Sequence, residues 1–157
     1  MPLMRVLIGA FLGLSVLSLT AFAAEDEVRI RELRKEQERL EREKDPVDRA
    51  KIGIKISELL LDSIGDAARE GDFTAMESQV SAYTTTIQEA HQSLVDSGRD
   101  AQRKAGGFKE LEIALRKHIR IFEDVARTLN LDKRVPLEKA KDLASGIRNR
   151  LLKALFP

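Results

Sequence analysis

Cysteine is absent from all 157 residues. That absence removes the lipobox cysteine of a lipoprotein, disulfides, zinc–thiolate sites, the Cys-x-x-Cys-His haem attachment and any cysteine nucleophile. No Asn-x-Ser/Thr sequon occurs, because Asn130 and Asn149 are followed by the wrong residues. Aromatics make up 4% of the chain, and there are four prolines and nine glycines. Runs of β-branched residues are short, so sheet is poorly provided for, and long amphipathic periods dominate. "GGF" at 106–108 lacks the Lys-Ser/Thr of a phosphate-binding P-loop. No serine sits in Gly-x-Ser-x-Gly; Ser57, Ser78 and Ser93 read as small residues on helices. There is no His-x-x-x-His. The di-iron pattern Glu-x-x-His fails as well, since Leu115 precedes His118 and Gln88 precedes His91 at the required spacing. Carboxylates are abundant, but they fall on polar faces at salt-bridge spacing. We therefore expect no enzyme activity, no catalytic, cofactor-binding or metal-ligating residues, and no cofactor.

The first residues have a different character. Arg5 precedes an apolar run from Val6 to about Leu19, and Ala21-Phe22-Ala23 follows. This is the layout of a secretory signal peptide, with cleavage expected after Ala23. The apolar run, roughly 15 residues, is short of the roughly 20 that span a bilayer. Together with the missing cysteine and sequon, it predicts a periplasmic or secreted bacterial protein.

The remainder, about 130 residues, is the size of one domain. Its charges balance once Arg5 is removed, which argues against a nucleic-acid binder. They are unevenly spread: acidic side chains prevail over residues 24–98 and basic ones over 99–157. Either the two halves attract one another within one domain, or the basic half faces an anionic partner or membrane.

Residues 24–45 read as a charged helical arm. Acid-first pairs four apart, such as Glu27/Arg31 and Glu38/Arg42, support a solvated helix. Its apolar residues, Val28, Ile30, Leu33 and Leu40, make too thin a seam to bury much. Asp45-Pro46 then starts a helix over about 46–70: Asp45 is suited to cap it and Pro46 suits its first position. Its polar face is narrow (Asp48, Lys51, Lys55, Glu58, Asp62), so it should pack against more than one neighbour. Gly71 and Asp72 turn into a third helix with Phe73, Met76, Val80, Tyr83, Ile87, Ala90 and Leu94 at alternating steps of three and four. "SGRDAQRKAGG", 97–107, is a loop. A fourth helix follows with Phe108, Leu111, Leu115, His118, Phe122, Val125 and Leu129, and Glu110 and Glu112 lie at its start, favourable for the helix dipole. "NLDKRVP" breaks it. A last helix begins near Pro136 and carries Leu137, Ala140, Ala144, Ile147, Leu151 and Leu155 on one face and basic residues on the other. The pattern predicts an all-α fold: an antiparallel up-down four-helix bundle over 46–157, preceded by an extra charged helix.

His118 lies mid-face between Leu115 and Phe122. It is either a metal or haem ligand or pH switch, or a buried histidine hydrogen-bonded to a neighbour such as Tyr83. If helices 72–97 and 108–130 form a hairpin, His118 is level with residue 85. At about 1.5 Å per residue, Met76 and His91 are then about 13 Å and about 9 Å away along the axis. That disfavours a Met/His haem site within the pair.

"AREGDFTAM", 68–76, is similar to a tetratricopeptide corner. Those repeats recur every 34 residues or so with shorter helices, and no second such corner occurs, so it reads as a helical turn. Two longer stretches, "DPVDRAKIGIKISELLLDSIGDAAREGDF" and "GGFKELEIALRKHIRIFEDVARTL", resemble a group of uncharacterised signal-peptide-bearing helical proteins of bacteria, a domain of unknown function typified by Asp-Pro-x-x-Arg-Ala-Lys and Gly-Phe-Lys-Glu-Leu-Glu. The resemblance covers most of residues 40–155. It implies an exported helical fold and carries over no activity and no site residues.

The expected function is a protein-interaction or structural module of the bacterial cell envelope, with an unknown protein partner bound through the 25–44 helix. The alternative is a ligand-binding or anionic-membrane-surface module that uses the basic C-terminal helix or a pocket near His118.

Overall fold

Each amphipathic period becomes one helix. The computed structural model describes the backbone from Leu14 to Pro157 and side-chain environments from Glu25 onward. The start of the predicted signal segment lies outside the described residues. The order is α1 (Leu14–Arg42), α2 (Pro46–Glu70), α3 (Phe73–Asp96), α4 (Phe108–Arg127) and α5 (Leu131–Leu155), with no strand among the described residues. The protein is all-α, and α2 to α5 form a four-helix bundle whose successive helices alternate in direction. The chain divides into two units, residues 1–35 and 36–157, so the last turns of α1 belong with the bundle.

The caps follow local chemistry. Asp45 Oδ1 accepts the N–H groups of Val47 and Asp48 at 2.9 and 3.1 Å, and Pro46 opens α2 where no N–H is needed. The Asp48 N–H, joined by Val47 and the Arg99 guanidinium at 2.6 Å, holds the Asp45 carboxyl below the usual carboxylate range. That Arg99 contact ties the 97–107 loop to the start of α2. Gly71 closes α2 at φ 74, a left-handed conformation that costs glycine little. Asp72 then accepts the Ala75 N–H at 3.0 Å.

Cross-helix contacts fix the arrangement. α2 and α3 pair antiparallel and very closely: a Cβ on Gly53 would stand 3.0 Å from Ala90 Cβ. α4 and α5 also pair antiparallel, with Arg148 Nε on Glu112 Oε1 at 2.8 Å. Between the hairpins, Glu58–Lys117 (3.5 Å) and Phe73–Lys133 (5.1 Å from ammonium to ring centre) join residues about 60 apart in sequence. α2 therefore runs parallel to α4, and α3 to α5. The expected hairpin of α3 with α4 is not the arrangement found: they lie diagonally across the core. The 97–107 loop is long enough to cross one end of the bundle, and the apolar faces of α3 and α4 then meet through the centre.

Most of the predicted core is buried, although Val125 and Leu155 at the ends of their seams are only half-buried. Met76, Tyr83, Ile87, Leu94, Leu111, Leu115, Leu137, Ile147 and Leu151 are fully buried. α2 is apolar on most sides because it faces both α3 and α4, and ten of its aliphatic residues are buried. Phe73 is only half-buried, at a bundle end beneath Lys133. Two helix boundaries differ from expectation: α1 begins at Leu14, so it runs through the expected cleavage point at Ala23 without a break instead of starting at residue 24, and the start of α5 is also shifted. α5 begins at Leu131, not near Pro136, which sits inside it. Proline there forfeits one helical hydrogen bond, to Asp132 O. Asp132 is exposed, so water takes that carbonyl and the first turns survive.

Candidate functional site

His118 is fully buried. Its Nδ1 lies 3.1 Å from the Tyr83 hydroxyl of α3, and the two rings stand edge to face with centroids 5.6 Å apart. Phe122, one turn on, packs edge-on against Tyr83 at 4.8 Å. The level of Tyr83 with His118 matches the expected register, although the two helices meet across the diagonal. Burial depresses the His118 pKa to about 4, with a smaller push from Lys117. Burial also raises the Tyr83 phenol well above its ordinary value. Both groups are neutral at pH 7, so one of them donates to the other across this contact, the direction following the imidazole tautomer. The other ring nitrogen, Nε2, is buried without a hydrogen-bond partner among the described residues. Of the two sequence alternatives for His118, the geometry matches the hydrogen-bonded core histidine.

Glu112 departs from the expectation that carboxylates lie on solvated faces. It is 5% exposed, between α4 and α5, because it falls on the flank of α4 that turns toward its hairpin partner. Arg116 Nη2 and Arg148 Nε donate to it at 2.9 and 2.8 Å. Burial pushes its pKa up, but the hydrogen bonds and charges of the two arginines outweigh that and hold it below the ordinary value. A signal existed in the sequence: Glu112 and Arg116 are four apart with Leu111 and Leu115 beside them. Nothing in it pointed to Arg148.

Two surface features remain. In the charged part of α1 that follows Ala24, Val28 and Ile30 are 55% and 57% exposed. At its other end, Arg49 Nη1 donates to Leu40 O and Glu43 O, both at 2.8 Å, and so caps the α1 C-terminus. Leu40 itself sits over Gly53, Thr86 and Ala90 in the α2–α3 groove. The matching groove between α4 and α5 is open. It has a volume of about 260 Å³, a floor of Phe122, Ala126 and Leu137, and a rim of Arg127, Arg134 and Lys141 with Glu123 and Glu138. Arg127 pairs with Asp124, and Arg134 Nε donates to Leu129 O at 2.7 Å.

Among the described residues, no group of three or more His, Asp and Glu side chains is arranged to hold a metal ion, and no helix is long and apolar enough to cross a membrane. Comparison with known protein families, curated proteins and solved structures finds no match.

Proposed function

We propose that this chain is an exported, non-enzymatic helical-bundle protein of the bacterial cell envelope that acts by binding another protein through α1. The observation that carries this reading is the exposure of Val28 and Ile30 in the charged part of α1 that follows Ala24. Near its C-terminus the helix is held by the Arg49 guanidinium on Leu40 O and Glu43 O and by Leu40 itself. The resemblance to signal-peptide-bearing helical proteins and the Ala21-Phe22-Ala23 cleavage pattern point to export. The bundle supplies the rigid base: its one core histidine is sealed, and its buried carboxylate is neutralised by two arginines.

The test is expression of the full coding sequence, with the mass of the exported product showing whether it starts at Ala24. Cross-linking in the native envelope follows, comparing the wild type with a deletion of 24–35. The deletion should abolish the cross-linked partner and leave the thermal midpoint almost unchanged. A large fall in the midpoint, or unchanged cross-linking, overturns the assignment of α1 as the binding element. The second reading, an anionic-membrane module, draws on Lys139, Arg150 and Lys153 of α5 and on Phe156, which is 75% exposed. Co-sedimentation with vesicles containing anionic lipid, and none with neutral vesicles, would favour it.

A further inference from the structure

We infer that the last turns of α1, residues 36–42, form a releasable strap over the α2–α3 groove, with Glu36 as its built-in release. The buried carboxylate keeps the strap easy to lift while α2 to α5 stay folded. The inference goes beyond the assignment of α1 as the binding element and holds whatever α1 touches.

The span 36–42 has a single apolar residue, Leu40. It sits over Gly53, Thr86 and Ala90, and a gap of about 10 Å³ remains among them. That is at the lower edge of what one water needs, roughly 10–15 Å³. Arg49 adds its two bonds from Nη1 to Leu40 O and Glu43 O. Against these anchors stands Glu36. It lies one turn before Leu40, on the same face of the helix. Its side chain is only 12% exposed, far less than a helix standing alone leaves to water, so it is pressed against the same groove. Its Oε2 is buried without a hydrogen-bond partner. Arg39 Nη1 stands 3.5 Å from that oxygen, an ion-pair distance with no hydrogen bond, and is itself 63% exposed. Arg49, the cation that α2 brings to this end of the groove, spends its Nη1 on main-chain carbonyls instead.

A carboxylate held away from water without donors opposes the docking that Leu40 favours. Lifting the strap returns Glu36 to water and gives up one leucine contact and the Arg49 bonds. Global unfolding must instead separate the whole core of α2 to α5, so the strap opens at a much lower free energy. Its root stays fixed. Glu43 Oε1 accepts the N–H groups of Lys44 and Asp45 at 2.8 and 2.9 Å, and Asp45 caps α2. Leucine at position 36 would extend the apolar seam by one turn and close the strap.

Native-state hydrogen exchange of the exported full chain, read by mass spectrometry at pH 7, tests this, with far-UV circular dichroism confirming that each variant is folded. In the wild type, residues 36–42 should open at least about a hundredfold more often than the core of α3 over 83–94. Glu36→Leu should slow exchange over 36–42 about tenfold or more, Glu36→Gln by a smaller factor, and Leu40→Ala should speed it. Glu38→Leu makes the same change at a side chain 57% exposed and should leave exchange within about threefold. Wild-type exchange over 36–42 no faster than over 83–94 overturns the inference. So does a Glu36→Leu strap that exchanges no more slowly than the wild type, or a Glu38→Leu strap slowed as much as Glu36→Leu. Cross-linking with and without residues 24–35 reads the binding assignment separately, so either can fail alone.

Discussion

Acid should unfold this protein earlier than its carboxylates alone would dictate, because the core holds a histidine that resists protonation. In the unfolded chain His118 titrates near 6.5; in the folded chain, near 4. The sign follows from linkage. Above pH 6.5 the ring is neutral in both states and contributes no pH dependence. Between 6.5 and 4 the unfolded state takes up a proton that the folded state refuses, so stability falls with pH. Below 4 both states are protonated and the loss stops growing. At about 1.4 kcal/mol per unit, the loss is about 2.5 kcal/mol by pH 4.5 and about 3.5 kcal/mol at its limit. Urea titration monitored by circular dichroism at pH 7.0, 5.5 and 4.5 measures it; with a slope of about 1–3 kcal/mol/M the midpoint should drop by on the order of 1–2 M. His91 also has a lowered pKa, from burial and from the Arg150 charge, so His91→Gln is the background in which to measure. The lowered pKa values of Asp45 and Glu112 act in the carboxylate range, where their stabilisation is lost as pH falls, so the window above pH 4.5 reports mainly His118. The Tyr83→Phe, His118→Leu double variant replaces both polar partners and should flatten the curve over this window. A wild-type midpoint that does not move between pH 7.0 and 4.5, or a double variant that moves as much as the wild type, refutes the reasoning.

Three further outcomes are expected. Glu112→Ala should cost about 1–3 kcal/mol in chemical denaturation, because it strips Arg148 and Arg116 of their shared acceptor; a double-mutant cycle with Arg148→Ala should show coupling. Gly107→Ala should destabilise by about 1–3 kcal/mol, since φ there is +84 and the new Cβ would fall 2.6 Å from Leu94 Cδ2; an unchanged thermal midpoint would contradict this. Gly53→Leu should lower the melting temperature far more than Gly65→Leu, because Gly53 faces Ala90 at 3.0 Å while nothing but the end of Arg69 approaches Gly65.

The alternating seams of α3 and α4 were legible because a bundle core requires apolar residues at steps of three and four, and those steps survive any arrangement of the helices. For the same reason Tyr83 could be matched with His118: antiparallel register depends on direction alone. Which helices are neighbours was not legible. A stripe such as Leu111-Leu115-Phe122 is equally satisfied by a partner alongside or across the core, and only the reach of the 97–107 loop and pairs such as Glu58–Lys117 decide. The start of α5 was misplaced because Pro136 resembles a first-turn proline, and a proline two turns in looks the same when the carbonyl it abandons is at the surface. Glu112 was hidden because its neutralising partner Arg148 is 36 residues away. The exposure of Val28 and Ile30 was visible in outline as a seam too thin to bury.

The crossing loop between Asp96 and Phe108 divides the bundle into two antiparallel pairs, each made from one continuous half of the chain, one acidic and one basic. Its exposed tip at Gln102 to Lys104 is where a protease could nick the backbone without touching a helix. Co-expressed as separate fragments, the two pairs should recombine through matched oily faces and opposite charge, making the molecule a natural scaffold for split-reporter complementation.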